Sequence, residues 1–181
     1  VRGGGWDGVC GGVRTCPARL REVESMFGLN AMWWGRTQGG GAMSSADAIN
    51  YSLSGPMLRA SGVAYDVRKD RPYLGYDEFD FDVPLRKEGD VYARYLVRIA
   101  EMREAVKIVK QALEKLKGLE NAPYKADAPH IMLPDREKMK TQMEARIYHF
   151  KIVTEGFSVP AGEVYQAIES PRGEMGWYVV S

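Results

Sequence analysis

The residues with the clearest chemical potential lie between positions 59 and 71. Asp66 precedes the run Arg68-Lys69-Asp70-Arg71, and Arg59 lies seven residues before Asp66. Cations and carboxylates that alternate in this way can line a polar cavity, or they can form a solvated or ion-paired loop. Spacing alone favours the solvated or ion-paired loop.

Other chemical motifs in the sequence are weak. Gly39-Gly40-Gly41 could hold a phosphate before a helix, but no Lys or Ser/Thr follows at Walker spacing, so a flexible turn is the better interpretation. His149 lies on a predicted helix, where a packed histidine is more common than a proton carrier. Cys10 and Cys16 lack the ligand spacing of a zinc site, so we expect no bound metal and interpret both as thiols in a reducing compartment.

Length, charge and hydropathy exclude several functional classes. The 181 residues fit one domain or one large part of a domain, and the net charge is +1. That charge gives no electrostatic reason to bind nucleic acid or an anionic membrane. No apolar run reaches the ~20 residues of a transmembrane helix. The N-terminus lacks an apolar signal region, so we expect no signal peptide. It also lacks Met, so we expect the chain to be a fragment.

A long helix from Asp90 to Leu116 must position the polar residues. Its apolar residues recur at steps of four and three, as in a heptad seam: Tyr95, Ile99, Met102, Val106, Val109, Leu113 and Leu116. Asp90 stands at the N-cap position, and Gly118 follows the end of the helix. Further apolar residues beside the seam indicate that more than one partner covers it, and we expect the seam to pack in the core.

Weaker local signals predict the rest of the chain. Helices are expected over 17–27, after Ser44 or Ser45, for one turn near Pro56, and over 135–155 with an apolar stripe from Met139 to Val153 that packs in the core. Residues 63–68 read as extended, and residues 73–83 alternate aromatic with acidic residues, as half-buried extended segments do. Residues 163–180 predict a β-hairpin.

These elements predict a mainly α fold with a small β-hairpin. We expect residues 1–16 to form an irregular Gly-rich segment and residues 17–181 to form part of one domain, with long helices at about 90–117 and 135–155. The loop over 56–89 is mostly irregular, and ordered loops of this length are often functional.

Several long strings resemble the D subunit of respiratory complex I, the large quinone-site subunit of NADH:quinone oxidoreductase. They include SGPMLRASG at 54–62, FDVPL at 81–85, GDVYAR at 89–94, VPAGE at 159–163 and SPRGE at 170–174. The resemblance covers roughly residues 36–181, whereas residues 6–16 depart from the family pattern. The family is related to the nickel–iron hydrogenase large subunit, which implies an incomplete helical bundle of that type and a former metal cavity reused for quinone.

The resemblance also implies site residues. Arg172 and Glu174 are expected to face the quinone cavity, whereas Arg59, Asp66 and Arg68 line it or contact the neighbouring iron–sulfur subunit. No catalytic residue carries over, because the family's quinone-site His and Tyr lie upstream of this sequence. The chain itself is expected to bind no metal and no cofactor.

The implied function is that of a scaffold and cleft wall. The whole complex passes electrons from NADH through iron–sulfur clusters to quinone and couples this to proton pumping. The implied partners are the other peripheral-arm subunits, especially the small iron–sulfur subunit. The implied location is peripheral, on the cytoplasmic side of the bacterial inner membrane or the mitochondrial matrix side, with indirect membrane contact.

Two alternatives remain open at this stage. One is the corresponding subunit of a ferredoxin- or coenzyme-F-linked dehydrogenase or of a membrane-bound hydrogenase. The other is a helical scaffold protein without a redox role. In each case we expect the isolated chain to be inactive and marginally stable, because its helix seam needs partners.

Overall fold

The computed structural model describes residues 3–28, 30–117, 119 and 128–181. The elements in chain order are α1 (Gly3–Gly28), α2 (Ala31–Thr37), α3 (Ser45–Asn50), α4 (Pro56–Ala60), α5 (Val67–Asp70), a 3-10 turn (Tyr76–Glu78), α6 (Val91–Lys117), α7 (Arg136–Thr141), α8 (Met143–Thr154), β1 (Glu163–Ser170) and β2 (Gly173–Val180). The two strands pair as the predicted hairpin. The mainly α fold with a small hairpin is therefore confirmed.

The chain divides into two compact units. The first contains residues 1–120 and 165–177, and the second contains residues 121–164 and 178–181. Whether residues 17–181 form one domain stays a prediction.

Helix α1 differs most from the sequence-based expectation. The irregular segment predicted for residues 1–16 is wrong from Gly3 onward, and Pro17 lies inside the helix instead of opening it. Glycine and proline disfavour helix, but the C-terminal half of α1 packs beside α6, buries Leu20 and pairs Glu24 with Arg103. Once that half is fixed, each further residue adds one hydrogen bond, so the helix extends back through the glycines.

Helix α6 is the central element of the first unit and begins as predicted. Oδ1 of Asp90 accepts a hydrogen bond from the Ala93 N–H at 2.7 Å, and Oδ2 accepts one from the Gly39 N–H at 2.8 Å. Asp90 therefore caps the helix and also holds the turn that begins at Gly39. Gly118, the predicted stop, lies outside the described residues.

The predicted seam of α6 is buried only in part. Tyr95 packs its ring against Trp33 of α2, and Ile99 is buried. Val97, which is not part of the predicted seam, is buried in a cluster with Ala60 of α4. Met102, Val109 and Leu116 are instead exposed, at 41, 38 and 48%. Positions seven residues apart drift by about 20° per heptad around a straight helix, so the seam rotates away from its partners. Core packing was the wrong prediction for these three residues.

Residues 79–83 confirm the extended, alternating pattern, whereas it is wrong at Tyr76–Glu78, which form the 3-10 turn. Phe81 is buried, whereas Asp80 and Asp82 are exposed. The Asp80 N–H donates to Oε1 of Gln111 at 2.9 Å, and the Asp82 N–H donates to Oε2 of Glu104 at 2.9 Å. Side chains of α6 thus satisfy backbone amides that a neighbouring strand would otherwise pair, which keeps this segment extended along the helix.

In the second unit, the single helix predicted over 135–155 is two helices. The chain leaves helical geometry at Gln142, with φ −115° and ψ 126°. Arg146 donates to the backbone oxygens of Met139 at 2.7 Å and Lys140 at 2.9 Å, which stabilises the end of α7. A unit of this size buries a limited share of its surface. The stripe predicted to be core is accordingly exposed at Met143, Ile147, Phe150 and Val153.

Candidate functional site

A buried arginine lies where three elements of the first unit meet. Arg59 is 1% exposed and belongs to the short helix α4, which starts at Pro56 as that residue favours. Its guanidinium donates from Nε to Oε1 of Glu101 at 2.7 Å and from Nη2 to Oε1 of Glu169 at 2.9 Å. Nη1 donates to the backbone oxygen of Tyr65 at 3.0 Å. One side chain therefore joins α4, α6 and β1.

Asp66 and Arg68 complete this charged group. Asp66 is 1% exposed and caps α5 by accepting from the Arg68 N–H at 2.9 Å. The Arg68 side chain donates back to both carboxylate oxygens, at 2.9 and 2.6 Å, and Nη1 of Arg59 lies 3.5 Å from Oδ2. Bidentate pairs of this kind fix geometry as well as charge. The extended prediction for residues 63–68 is wrong from Val67, because Asp66 starts a helix there.

Phe81 holds Arg68 in this orientation. Its ring centroid lies 5.0 Å from the guanidinium carbon of Arg68 and 4.5 Å from Nζ of Lys69. The ring is buried and Arg68 is partly buried, which strengthens its cation–π attraction, whereas Lys69 is exposed. We call Arg59, Asp66, Arg68, Glu101 and Glu169 the buried ion cluster.

The two carboxyls of the cluster with shifted pKa values are pushed in opposite directions. Burial opposes ionisation of Asp66, but the Arg68 hydrogen bonds and the Arg59 charge outweigh burial and lower its pKa. At Glu101 burial is the largest effect, and it raises the pKa although Arg59 lies beside it. Glu101 is therefore the carboxyl of these two that takes up a proton first as the pH falls.

An open cavity of about 460 Å³ lies beside the buried ion cluster. Arg59, Arg68, Glu101 and Glu169 line it from the cluster, and Arg98, Met102, Ala105 and Arg172 are among its other lining residues. This volume lies within the range of small-molecule sites, about 300–1,000 Å³. We call it the arginine cavity.

Glu174 lies at a different cavity, of about 470 Å³, in the same unit. Its carboxylate accepts from the Tyr65 hydroxyl at 2.8 Å and from the Tyr165 hydroxyl at 3.4 Å. The hydrogen bond to Glu174 raises the pKa of Tyr65. Arg172 and Glu174 therefore line two different cavities of this chain, and their common place at the quinone cavity stays a prediction.

Two glycines allow the hairpin turn to approach α4. A Cβ on Gly55 would lie 2.4 Å from Cα of Gly173, and a Cβ on Gly173 would lie 2.6 Å from Oγ of Ser54. Both residues have positive φ, +66° and +140°, which disfavours side chains further. This contact brings β1 with Glu169 to Arg59 and sets Arg172 at the arginine cavity.

Sequence reasoning found Arg59, Asp66 and Arg68 but missed Glu101 and Glu169. The missed partners lie 42 and 110 residues from Arg59. No motif joins positions so distant in the chain. The need of a buried cation for carboxylate partners would have pointed to them, but the sequence does not show that Arg59 is buried.

The described residues were searched for clustered metal ligands and for helices that could span a membrane. Within them no group of three or more His, Cys, Asp and Glu side chains is placed to hold a metal ion. Cys10 and Cys16 are free thiols. No helix in the described part of the chain combines the length and apolarity needed to cross a membrane.

Comparison with known families covers nearly the whole chain. The family described as "Respiratory-chain NADH dehydrogenase, 49 Kd subunit" matches residues 5–181. The chain belongs to this family. The match extends farther toward the N-terminus than the resemblance over residues 36–181, and it includes residues 6–16.

Curated members of the 49 kDa subunit family are similar over most of this chain. The NADH-quinone oxidoreductase D subunit 1 of Solibacter usitatus is 59% identical over 165 residues, which are 91% of this chain and 40% of that protein. The NADH-quinone oxidoreductase D subunit 2 of Koribacter versatilis is 58% identical over 167 residues, 92% of this chain and 41% of that protein. The D subunit of Rickettsia bellii is 48% identical over 169 residues, with 93% and 42% covered. The chain thus spans about two fifths of the length of these relatives, and its resemblance to the D subunit is confirmed.

Proposed function

We propose that this chain forms part of the quinone-reducing module of a proton-pumping NADH:quinone oxidoreductase. It supplies scaffold helices and part of the wall of the quinone cleft, beside a neighbouring subunit that holds an iron–sulfur cluster. The family match over residues 5–181 and the names of the relatives support this proposal. They favour it over the ferredoxin-linked, coenzyme-F-linked and hydrogenase alternatives and over a scaffold without a redox role.

The observation that carries the proposal is a buried ion cluster beside an open cavity. Burying several charges is unfavourable unless they are paired, so a fold that keeps them holds fixed charges in place. Quinone gains negative charge as it accepts electrons. Guanidinium groups already oriented beside the cavity stabilise such charge without having to reorganise. Arg172, which is exposed at the cavity, is the group best placed to contact the quinone head.

The burial of Arg59 and Asp66 supports a choice between two roles that the resemblance left open. Both residues are 1% exposed and are held by neighbours within the chain. A neighbouring subunit could not reach their polar atoms at its surface. We therefore propose that Asp66 supports the cavity and that Arg59 and Arg68 line it, in preference to subunit contact.

In this proposal the chain binds neither NAD nor a cluster. NADH is oxidised elsewhere in the complex, and the cluster that donates electrons to quinone belongs to the small iron–sulfur subunit. The module lies in the peripheral arm, on the cytoplasmic side of the bacterial inner membrane or the matrix side of the mitochondrial one.

The test is the substitution Arg172→Gln in the assembled complex. We expect the KM for quinone to rise about tenfold, the effect of losing one hydrogen bond to a charged group. NADH oxidation by a water-soluble artificial acceptor should not change, because that reaction bypasses the cleft. Arg86→Gln is the matched control, since Arg86 is an exposed arginine that lines neither cavity. An equal KM for quinone in the two variants would show that Arg172 does not contact quinone.

A further inference from the structure

The buried ion cluster holds more carboxylates than guanidinium groups. Its carboxylates belong to Asp66, Glu101 and Glu169, and its guanidinium groups belong to Arg59 and Arg68. With every group ionised, the cluster carries one negative charge in excess. A buried charge without a partner is unfavourable, and a carboxyl in that position is neutralised by taking up a proton. The charge balance therefore predicts that one carboxyl of the cluster exchanges a proton.

Hydrogen bonding identifies Glu101 as that carboxyl. Both oxygens of Asp66 accept hydrogen bonds from Arg68. The two oxygens of Glu169 accept from Arg59 and from a backbone N–H. In Glu101 only Oε1 is engaged, by Nε of Arg59 at 2.7 Å and Nη2 at 2.6 Å, and no donor among the described residues bonds to Oε2. A proton on Oε2 therefore displaces no hydrogen bond.

Glu101 is also the most accessible of the three carboxyls. Its side chain is 16% exposed, against 1% for Asp66 and 4% for Glu169. It lines the arginine cavity, so a solvent proton can reach Oε2 through that opening. Burial raises the pKa of Glu101, which is the direction that this exchange requires.

Two further arginines line the same cavity. Arg98 of α6 contacts the backbone oxygen of Arg94 at 3.5 Å, and Arg172 belongs to the hairpin turn. Among the described residues no carboxylate pairs with either of them. Met102 and Ala105 add apolar lining. This combination suits a small organic anion, because its oxygens can meet guanidinium groups while its carbon atoms meet the apolar side chains.

We propose that the arginine cavity binds a singly charged organic anion and that Glu101 takes up one solvent proton on Oε2 as the anion binds. An ionised Glu101 repels the anion and a neutral Glu101 does not, so anion binding and protonation favour each other. No electron moves in this step, in which a carboxylate and a proton become a carboxylic acid. The natural occupant rests on the proposed function, in which it is the quinone head once that head carries negative charge.

Charged groups from every neighbouring element surround Glu101. They come from α4, α5, α6, β1 and the hairpin turn: Arg59, Asp66, Arg68, Arg98, Glu169 and Arg172. Arg59 and Arg68 favour the ionised form of Glu101, and Glu169 opposes it. Arginine stays charged throughout the working pH range, so the arginines attract an anion at every pH. The pH dependence of binding therefore reports on carboxyl groups.

The test is isothermal titration calorimetry of the 181-residue chain with sodium benzoate, a flat anion with one charge. Titrations in bis-tris and in imidazole give the affinity and the number of protons taken up, because these amine buffers differ in ionisation enthalpy and add no competing carboxylate. We expect uptake of up to about one proton per bound benzoate. The affinity should fall by up to about tenfold per pH unit above the pKa of Glu101.

Glu101→Gln is the decisive variant, because glutamine keeps an acceptor oxygen for Arg59 and resembles the protonated acid. It should abolish proton uptake, and at about pH 8 it should bind benzoate about tenfold more tightly than the unaltered chain does. A purely structural role of Glu101 would weaken binding instead. Glu114→Gln is the matched control, since Glu114 is an exposed glutamate of α6 that lines neither cavity, and it should change neither quantity.

Arg172→Gln locates the anion. It should weaken benzoate binding about tenfold, because a charge-assisted hydrogen bond is lost, whereas Arg86→Gln should leave the affinity unchanged. Equal affinities in these two variants would place the anion away from Arg172 and contradict the proposal. Circular dichroism of each variant verifies that the helices are intact.

Three further results would overturn the proposal. Absence of saturable benzoate binding would remove the anion site. Binding without proton uptake between about pH 5 and pH 8 would remove the role of Glu101. Uptake that persists in Glu101→Gln would assign the proton to another group. The proposed function is tested separately, by the KM for quinone of Arg172→Gln in the assembled complex, so either can fail without the other.

Discussion

At the scale of single residues, the buried ion cluster determines how the first unit holds together. Arg59 pairs with three carboxylates and donates to one backbone oxygen, so its loss leaves buried negative charge without a partner. Breaking a buried pair in this way destabilises by about 3–5 kcal/mol, more than the pair contributes over an apolar replacement. The stability of the unit is therefore sensitive to one side chain.

Arg59→Gln is the first prediction. We expect the free energy of unfolding, measured by urea denaturation, to fall by about 3–5 kcal/mol or the variant to be unfolded. Arg86→Gln replaces an exposed arginine with the same side chain and should stay within about 0.5 kcal/mol of the original. Similar losses in the two variants would show that the Arg59 contacts do not stabilise the fold.

The opposite pKa shifts of Asp66 and Glu101 predict a pH dependence. The pKa of Asp66 is lowered by folding, so its stabilising contribution is present above the ordinary value of 3.8 and is lost as the pH falls below it. The pKa of Glu101 is raised, so its contribution is present below 4.5 and is lost as the pH rises through the folded value.

Denaturation curves at a series of pH values separate these two effects. Asp66→Asn should flatten the acid side of the stability profile, and Glu101→Gln should flatten the fall that begins above pH 4.5. The readout is the slope of the free energy of unfolding against pH, because both variants also lower that free energy at every pH. Slopes that match those of the unaltered chain would contradict the assigned shifts.

The candidate residues of the cluster were in part predictable from sequence. The alternation of charges identified Arg59, Asp66 and Arg68 as a group, and their ion pairing is confirmed. The solvated interpretation is wrong for Arg59 and Asp66, which are buried. Spacing does not determine burial, because burial depends on Glu101 and Glu169, which tertiary contacts bring from distant parts of the chain.

At the scale of elements, the contact between the hairpin turn and α4 places the site. Gly55 and Gly173 approach more closely than any side chain permits. Through this contact the turn that carries Arg172 and the strand that carries Glu169 reach the same side of Arg59. A change at the contact should therefore be transmitted to the arginine cavity.

Gly55→Ala tests this contact. The added Cβ would meet backbone 2.4 Å away at a positive φ, so both overpacking and strain oppose it. Gly75→Ala is the matched control, since Gly75 also has positive φ, +77°, but has no atom within 4 Å of the added Cβ. We expect Gly55→Ala to lower the free energy of unfolding by about 1–3 kcal/mol more than Gly75→Ala. Equal losses of stability in the two variants would show that backbone strain alone, and not the close contact with Gly173, destabilises Gly55→Ala.

The helix that replaces the predicted irregular segment can be tested with alanine. Gly11 and Gly12 lie in α1, and a Cβ on either would meet no atom within 4 Å. Gly11→Ala combined with Gly12→Ala should therefore stabilise the chain by about 2 kcal/mol and increase helical circular dichroism, because alanine favours helix by about 1 kcal/mol per residue. An unchanged stability and spectrum would indicate that this part of α1 is not helical in solution.

Elements with local start and stop signals were predictable, and those that depend on neighbours were not. Asp90 and Ser44 cap α6 and α3 as expected, Gly28 ends α1, and Ser170 to Gly173 form the hairpin turn. The N-terminal half of α1 depends instead on the packing of the C-terminal half beside α6. The break at Gln142 depends on the contacts of Arg146. Local propensity carries no information about such contacts.

At the scale of the whole molecule, the chain exposes apolar surface in both units. Examples in α6 of the first unit are Met102, Val109 and Leu116, and examples in α8 of the second unit are Ile147 and Phe150. Such exposed apolar surface would lower the solubility and stability of the chain alone. Marginal stability of the isolated chain stays a prediction, as do the neighbouring iron–sulfur subunit and the quinone itself.

The chain spans about two fifths of the length of its 49 kDa subunit relatives. The central claim of the proposed function is that the arginine cavity forms part of the quinone cleft of the assembled complex. Kinetic effects of a substitution can arise at a distance, whereas covalent labelling reports contact.

The most direct measurement is photolabelling of the assembled complex with a photoreactive quinone analogue, followed by peptide mapping. We predict label on residues 169–172 or on 98–105, the two exposed walls of the arginine cavity, and competition by unlabelled quinone. Label that is competed by quinone but lies wholly outside residues 1–181 would contradict the claim.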